Sequence, residues 1–238
     1  MTIVTSSRDG AVTTIMLDRP AEGNLLPLDG VLALSAAIRA AGASDSKVIV
    51  LRGNGADFCR GRGGGGPPSP TAMKMRANVC EPILDAYDAM ANAPQPIVGV
   101  VQGAAYGFGC AIASVCDITI AHDTARFKLP EMEKDLPPTL AMSAVGPRVP
   151  LKVIAWMVYA MEELDARTAR EVGIVSKVAP SAQVESELAK LIATLTARSP
   201  EALVAVKDFL RSAPHMEPRG MADYGANLLA AVLSSAGK

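Results

Sequence analysis

The chain has 238 residues, of which half are apolar and a fifth are charged, and its formal net charge is -1. This composition is typical of a folded globular protein and excludes a disordered chain, while the near-neutral charge gives no reason to expect a nucleic-acid partner or a membrane partner. No apolar run has the length of a membrane-spanning helix, and the start lacks the basic-then-apolar build of a secretion signal, so we expect a cytoplasmic protein.

The first half of the chain alternates between predicted strands and predicted helices. Continuous apolar or β-branched runs predict strands, and apolar residues at helical spacing predict the helices between them. This order favours an α/β fold with helical layers around a largely parallel sheet. The predicted strands are Val12–Leu17, Lys47–Leu51, Pro96–Val101 and Asp117–Ala121, and the predicted helices are Leu28–Ala41, Thr71–Ala93 and Gly107–Val115.

Beyond about residue 150 the pattern becomes mainly helical, with one short strand predicted at Ile174–Val178. The predicted helices there are Leu151–Met161, Asp165–Val172, Ser181–Ala197, Pro200–Ser212 and Met221–Ser234. We therefore predict a core domain over residues 1–180 and a helical C-terminal region over residues 181–238.

Cysteine and histidine are too sparse to indicate a disulfide framework or a metal site. The four cysteines are irregularly spaced without a CxxC pair, and His122 and His215 stand outside any HExxH pattern. We expect buried free thiols and no bound metal. The stretch GRGGGGPPSP lacks the Lys-Ser/Thr of a phosphate-binding loop, and it predicts either an active-site loop or a flexible connection.

Four segments, in their order and spacing, resemble the crotonase (enoyl-CoA hydratase/isomerase) superfamily. They are VTTIMLDRPAEGNLL, VIVLRGNGADFCRGR, PQPIVGVVQGAAYGFGCAIASVCDITIA and ARFKLPEMEKDLPP, and weaker matches follow in ELDARTAREVGIVSKV and SPEALVAVKDFL. The resemblance spans nearly the whole chain. It implies a spiral of ββα turns that binds an acyl-CoA thioester, followed by a helical region used in assembly into a homo-trimer or a dimer of trimers.

The resemblance also assigns the groups that hold the substrate, with coenzyme A as part of that substrate and no separate cofactor. Two backbone N–H groups, those of Arg62 and Phe108, are the expected oxyanion hole for the thioester oxygen, although the superfamily usually has Gly at position 108. The remaining expected substrate-binding residues are Asn24, Arg60, Gly61, Gly107 and Lys207. An exposed Arg60 and an exposed Lys207 are the alternatives from sequence alone.

The carboxylates decide which reaction is expected. Hydratases of the superfamily use two glutamates, and here the first position holds Ala111 while the second holds Glu131. A single glutamate favours enoyl-CoA isomerase chemistry, in which one group removes and returns a proton. We also expect Asp135 to be catalytic if it faces the acyl pocket, and either Asp135 or Glu133 would then supply the second carboxylate of a hydratase or related lyase. Without the resemblance, these acidic residues indicate a solvated loop.

Two further interpretations stay open. One is a non-catalytic acyl-CoA-binding homologue, and the other is a C–C hydrolase in which His122 acts as a base. The chain stops at Ala236-Gly237-Lys238, earlier than is usual for the superfamily, so we expect a shortened C-terminal region and an altered adenine pocket.

Overall fold

Apolar and β-branched runs of the chain become strands in the computed structural model, which describes residues 2–64 and 71–235. This part of the chain contains nine strands: β1 (Val4–Asp9), β2 (Val12–Leu17), β3 (Val48–Gly53), β4 (Ile97–Val101), β5 (Ala104–Tyr106), β6 (Ile118–His122), β7 (Arg126–Lys128), β8 (Leu164–Asp165) and β9 (Lys177–Ala179).

Six of these strands form the central sheet, in the order β1-β2-β3-β4-β6-β9. β1 pairs antiparallel with β2, and all the other neighbours are parallel. The carboxyl ends of parallel strands meet at one edge of a sheet. The segments that follow β3 and β4 therefore leave the sheet side by side, and they carry most of the predicted site.

The helices cover both faces of this sheet. They are α1 (Leu28–Gly42), α2 (Ala72–Met75), α3 (Glu81–Asn92), α4 (Phe108–Val115), α5 (Thr139–Val145), α6 (Leu151–Tyr159), α7 (Ala166–Glu171), α8 (Val184–Thr196), α9 (Pro200–Ser212) and α10 (Pro218–Ser235). A π-helical turn joins α2 to α3, and Pro82 lies in the first turn of α3, where its missing N–H costs no helical hydrogen bond.

Alternate residues of the parallel strands pack into two separate apolar clusters. Ile49 and Leu51 of β3 face the larger cluster, which also contains α1, α3 and α4, while Val48 and Val50 face the smaller one. α8 covers this second face through Val184 and Leu188. α8, which lies beyond the domain boundary predicted at residue 180, thus packs on the second face of the sheet formed by the preceding residues.

A second, three-stranded sheet was not expected from the sequence. It has the order β5-β7-β8, with β5 and β7 parallel and β8 antiparallel to β7. Its strands are two or three residues long, which is too short to give a periodic signal. A bridge from Ala105 to Cys59 connects this sheet to the segment that follows β3.

Two stretches singled out from the sequence lie partly outside the described residues. The Gly/Pro-rich stretch after Arg60 includes residues 65–70, and the C-terminal end includes residues 236–238. Among the helices that are described, none combines the length and the apolarity needed to cross a membrane.

Lys207 of α9 is buried at the amino edge of the central sheet. Its Nζ donates to the backbone oxygens of Met90 (3.1 Å) and Gln95 (2.9 Å), and it lies 2.9 Å from a carboxylate oxygen of Asp117. That same oxygen of Asp117 accepts the N–H of Ile97 at the start of β4. These contacts occupy all three ammonium hydrogens and fasten the C-terminal helices to the core.

We expect Lys207→Met to lower the free energy of unfolding by about 3 kcal/mol, because it leaves the partly buried Asp117 carboxylate without its counter-ion. Urea denaturation followed by circular dichroism measures the change. Lys190→Met is the matched control, since Lys190 forms an exposed pair with Glu187 and should change stability by less than about 0.5 kcal/mol. Equal effects for the two variants would contradict the structural role of Lys207.

Candidate active site

The candidate site is formed where the segment after β3 lies against the segment after β4. Cys59 N–H donates to the Ala104 oxygen (3.0 Å), and Tyr106 N–H donates to the Cys59 oxygen (2.9 Å). The two segments then run on to Gly61-Arg62 and Gly107-Phe108, respectively. Residues that are 46 positions apart in the sequence, 62 and 108, are thereby brought to one edge of the sheet.

Glycine makes the close approach of the two segments possible. A Cβ on Gly109, in the first turn of α4, would lie 2.0 Å from the Cys59 oxygen, so only hydrogen fits there. Gly107, the N-cap of α4, has a φ of +51° and a ψ of -114°, a combination that favours glycine. Gly61 has a φ of +114° and lies against the Tyr106 carbonyl.

The two backbone N–H groups predicted to form an oxyanion hole are available as donors. Within the described residues, neither the Arg62 N–H nor the Phe108 N–H donates to a backbone or side-chain acceptor. Phe108 is the first residue of α4, where an N–H has no intrahelical partner and the helix dipole favours negative charge. Such donors suit an oxygen that becomes negative during a reaction.

The Glu131 carboxyl lies directly beside the amino end of α4. Glu131 begins a 3₁₀ turn, Glu131–Lys134, and its Oε1 would be 2.8 Å from a Cβ placed on Gly107. Its Oε2 is buried and has no hydrogen-bond partner among the described residues. Burial raises the pKa of Glu131 above the usual value, with a smaller opposing effect from its own backbone. A desolvated, unpaired carboxyl of this kind is suited to proton transfer.

Two aromatic rings stack beside the same helix end. The rings of Phe108 and Tyr87 stack with centroids 5.7 Å apart and an interplanar angle of 21°. Ala111 is fully buried one turn further along α4, on the same helix face as Phe108. Position 111 is Ala and carries no carboxylate, and the Tyr87 side chain from α3 packs next to this face of α4.

Arg62 also has a side chain directed into the protein. Its guanidinium is half-buried, with one terminal nitrogen 3.5 Å from the Val79 oxygen, and its Nε is buried without a partner among the described residues. Burial lowers the pKa of Arg62, and the neighbouring Cys80 opposes that change. The contact with Val79 thus links the Arg62 loop to the helical segment before α3.

The two other acidic residues of the segment are exposed. Glu133 forms an ion pair with Lys128 at 2.5 Å. Asp135 ends the 3₁₀ turn with a φ of +52°, and its side chain faces solvent. The catalytic role of Asp135 was conditional on an inward side chain, and this exposure does not favour it; of the three residues, only Glu131 has a carboxyl oxygen enclosed by the protein.

Asn24 and Arg60 make contacts within the loops around the site. Asn24 is fully buried; its oxygen accepts the Arg19 N–H, and its amide donates to the Asn54 and Asp57 oxygens. The structure thus gives Asn24 a role in the turn in place of the substrate contact expected from sequence. Arg60 is exposed, 3.9 Å from Asp57, and its guanidinium lies 6.0 Å from the centre of the Tyr106 ring.

Lys207 lies away from these groups. Its partners Gln95 and Asp117 precede β4 and β6, at the amino edge of the sheet, whereas the site lies at the carboxyl edge. The expected contact of Lys207 with the substrate is therefore corrected to an internal ion pair. The alternative of an exposed lysine is equally inconsistent with its burial.

The thiols and histidines add no second site. Burial raises the pKa of Cys59 and of Cys110 to about 12, so both side chains are protonated at neutral pH. Burial also lowers the pKa of His122, at the end of β6. In residues 2–64 and 71–235, no group of three His, Cys, Asp or Glu side chains converges as metal ligands would.

The fold of this chain is well represented among solved structures. Human enoyl Coenzyme A hydratase domain-containing protein 3 superposes with a TM-score of 0.92 and 23% identity, over 98% of this chain and 92% of that one. An enoyl-CoA hydratase of Mycobacterium smegmatis gives a TM-score of 0.91 at 22% identity, over 97% of this chain and 91% of that one. The fold is therefore the crotonase fold.

Sequence comparison then gives the family. The family model described as Enoyl-CoA hydratase/isomerase matches residues 7–235, and the chain belongs to that family. Similar relatives include the mitochondrial enoyl-CoA hydratase domain-containing protein 3 of Rattus norvegicus (32% identity, 81% of this chain and 65% of the relative) and the 2,3-dehydroadipyl-CoA hydratase of Escherichia coli K12 (32%, 86% and 80%). Human enoyl-CoA delta isomerase 2 is 26% identical over 88% of this chain and 54% of its own length. The chain thus spans about two thirds of the rat relative.

The pKa of Glu131 gives a prediction for stability. Because that pKa is raised in the folded state, the carboxyl binds its proton more tightly when folded, and its ionisation destabilises the fold as the pH rises through the raised value. We expect Glu131→Gln to have a higher melting temperature than the wild type at about pH 7.5 and to lose this advantage at about pH 4. Differential scanning calorimetry measures both.

Glu133→Gln is the control, because its carboxylate is exposed and paired with Lys128. It should not gain stability at the higher pH. A Glu131→Gln protein that is less stable than the wild type at about pH 7.5 would show that ionisation of the Glu131 carboxyl does not destabilise the fold, and would contradict the prediction.

Proposed function

We propose that the protein catalyses proton transfer on an enoyl-CoA thioester, with Glu131 as the acid/base and the N–H groups of Arg62 and Phe108 as the oxyanion hole. The observation that carries this proposal is the burial of the Glu131 carboxyl against Gly107, next to the Phe108 N–H. A proton-accepting group and two free donors for an oxyanion are what enolate chemistry needs.

The proposed reaction converts a 3-enoyl thioester to a 2-enoyl thioester. The Glu131 carboxylate removes a proton from C2, and the electrons of that C–H bond form a dienolate whose negative charge rests on the thioester oxygen. The two N–H groups hold that oxygen. The Glu131 carboxylic acid then gives the proton to C4, and the double bond stands between C2 and C3. One carboxyl suffices, because the group that takes a proton from C2 is also the group that gives a proton to C4.

Hydration is the second candidate, because a relative with 32% identity is named a 2,3-dehydroadipyl-CoA hydratase. Adding water across a double bond calls for a group that orients the water and a group that supplies the proton. The exposure of Glu133 and Asp135 argues against either as the second carboxylate. For this reason we favour isomerisation.

We further propose that the protein assembles as a homo-trimer or a dimer of trimers. Its C-terminal helices α9 and α10 expose several large apolar side chains, which a monomer has little reason to show to water. These are Val206, Leu210, Leu229 and Leu233. Light scattering on the purified chain measures the mass, and a monomer would contradict the proposal.

Incubation with 3-enoyl-CoA and 2-enoyl-CoA in deuterated water tests the reaction. We expect interconversion with deuterium at C2 or C4 and no gain of oxygen, as read by mass spectrometry. A mass gain of one water would establish hydration instead. Binding of the thioester with neither change would support an acyl-CoA-binding protein without turnover.

Two variants test the assigned groups. Glu131→Gln removes the proton acceptor and should lower kcat by at least about 100-fold while the thioester still binds. Phe108→Pro removes one oxyanion donor, and because proline is tolerated in the first turn of a helix, the fold should persist. We expect a loss of about 100-fold or more in kcat.

Phe108→Ala is the matched control for the proline variant, because it also removes the ring but keeps the N–H. The proposal predicts that Phe108→Ala is clearly more active than Phe108→Pro. Equal activities would show that the backbone donor has no part in catalysis.

A further inference from the structure

Tyr87 lies near Glu131, was not indicated by the sequence, and has no role in the reaction proposed above. Tyr87 is 9% exposed, and no described residue hydrogen-bonds to its hydroxyl, which unlike the Glu131 Oε2 is not a fully enclosed polar atom without a partner. Its ring is held by the stack on Phe108. A phenol held in place with an accessible hydroxyl is available to bond to a neighbouring group through water.

The Glu131 carboxyl, in turn, lacks a hydrogen-bond donor. Its Oε2 is buried with no donor in the described residues, and it lies against Gly107, whereas Tyr87 stacks on the next residue, Phe108. The two side chains therefore flank the same end of α4. They are also close enough that the Glu131 charge, after burial, is the second cause of the raised pKa of Tyr87. The phenol can donate a hydrogen bond, and the ionised carboxylate accepts one.

Resting on the function proposed above, we propose that Tyr87 is a positioning residue for Glu131, with its hydroxyl donating to the Glu131 carboxylate through one bridging water. In this arrangement the phenol supplies a polar group near Glu131, where a carboxylate at position 111 is absent. It fixes the orientation of the acid/base while leaving Glu131 as the only group that moves a proton.

The other groups around Glu131 do not provide this hydrogen bond. From α4 comes the protonated thiol of Cys110, which is a weak donor. Lys128 of β7 is paired with Glu133. On the 3₁₀ turn itself, Glu133, Lys134 and Asp135 are exposed, and α6, which packs against the turn, offers the exposed Lys152 and Tyr159.

The consequence concerns the protonation of Glu131. A donor that bonds to the charged form of a carboxyl lowers its pKa, so Tyr87 offsets part of the rise that burial causes. Without the hydroxyl, the carboxyl should hold its proton to a higher pH. The active, ionised base then appears only at a higher pH, and the acid limb of the pH–rate profile moves upward.

We expect Tyr87→Phe to move the acid limb of kcat upward by roughly half to one pH unit and to lower kcat by about 10-fold at neutral pH, with KM nearly unchanged. Carbon-13 NMR of protein labelled at the glutamate carboxyls, with Glu131→Gln to assign the signal, should show the same upward shift of the Glu131 pKa. Tyr87→Leu, which also removes the stack, separates the ring from the hydroxyl.

Tyr224→Phe is the matched control. Tyr224 also stacks on a phenylalanine, Phe209, at 6.4 Å, and its hydroxyl donates to the Asp208 carboxylate at 2.8 Å, but it lies between α9 and α10. It should change neither the profile nor the Glu131 signal. An unchanged Glu131 pKa in Tyr87→Phe, confirmed as folded by its melting curve, overturns the proposal.

The NMR titration needs no substrate, and so the two proposals fail separately. If Tyr87→Phe shifts the Glu131 pKa but the protein turns over no enoyl-CoA, the positioning role stands and the proposed function falls. If Glu131→Gln abolishes turnover and Tyr87→Phe leaves the Glu131 pKa in place, the function stands and the positioning role falls.

Discussion

The contact between the Gly109 Cα and the Cys59 carbonyl is the constraint on which the site depends. Two segments that follow neighbouring parallel strands are held together so closely that no side chain fits between them. This contact sets where α4 begins, and with it the position of the Phe108 N–H relative to the Arg62 N–H. Because both donors belong to the main chain, side chains at 62 and 108 can differ from those of relatives without removing the donors.

The same helix end explains why a buried carboxylate is tolerated at position 131. An unpaired polar group in the interior costs about 1–3 kcal/mol, and a charged one costs more. Here the dipole of α4 lies near Glu131, and the amide groups that would stabilise a transition state are on the same side. The fold thus keeps a destabilising group in place, as is common where a group must change its protonation during a reaction.

The sequence predicted the parts of the fold that have a strong local pattern and missed those that do not. The buried strands β3 and β4 and the amphipathic helices α1 and α8 were predicted, because each has an apolar run or a helical apolar spacing that continues over enough residues to be recognised. β1 reads VTSSRD, with five of its six residues exposed, and gives no strand signal. The strand forms because it pairs with β2.

The site was predicted less completely than the fold. Glu131 was found only through the family resemblance. Tyr87 was not predicted, because its place in the site depends on packing against Phe108, a residue 21 positions away. For Lys207 the resemblance was misleading. It predicted a contact with the substrate, whereas in the structure this lysine is buried against the core.

Two departures of this chain lie close together on α4. By resemblance, position 111 holds Ala where hydratases of the superfamily have a glutamate, and position 108 holds Phe where the superfamily usually has Gly; Tyr87 stacks on that Phe. A small residue at 111 leaves room on the face of α4 that a carboxylate would occupy, and a ring at 108 gives a tyrosine from α3 a surface to pack against. Under the proposed function, Glu131 is the one proton carrier and the Tyr87 hydroxyl is a neutral donor near it, which fits a reaction that moves a proton and adds nothing.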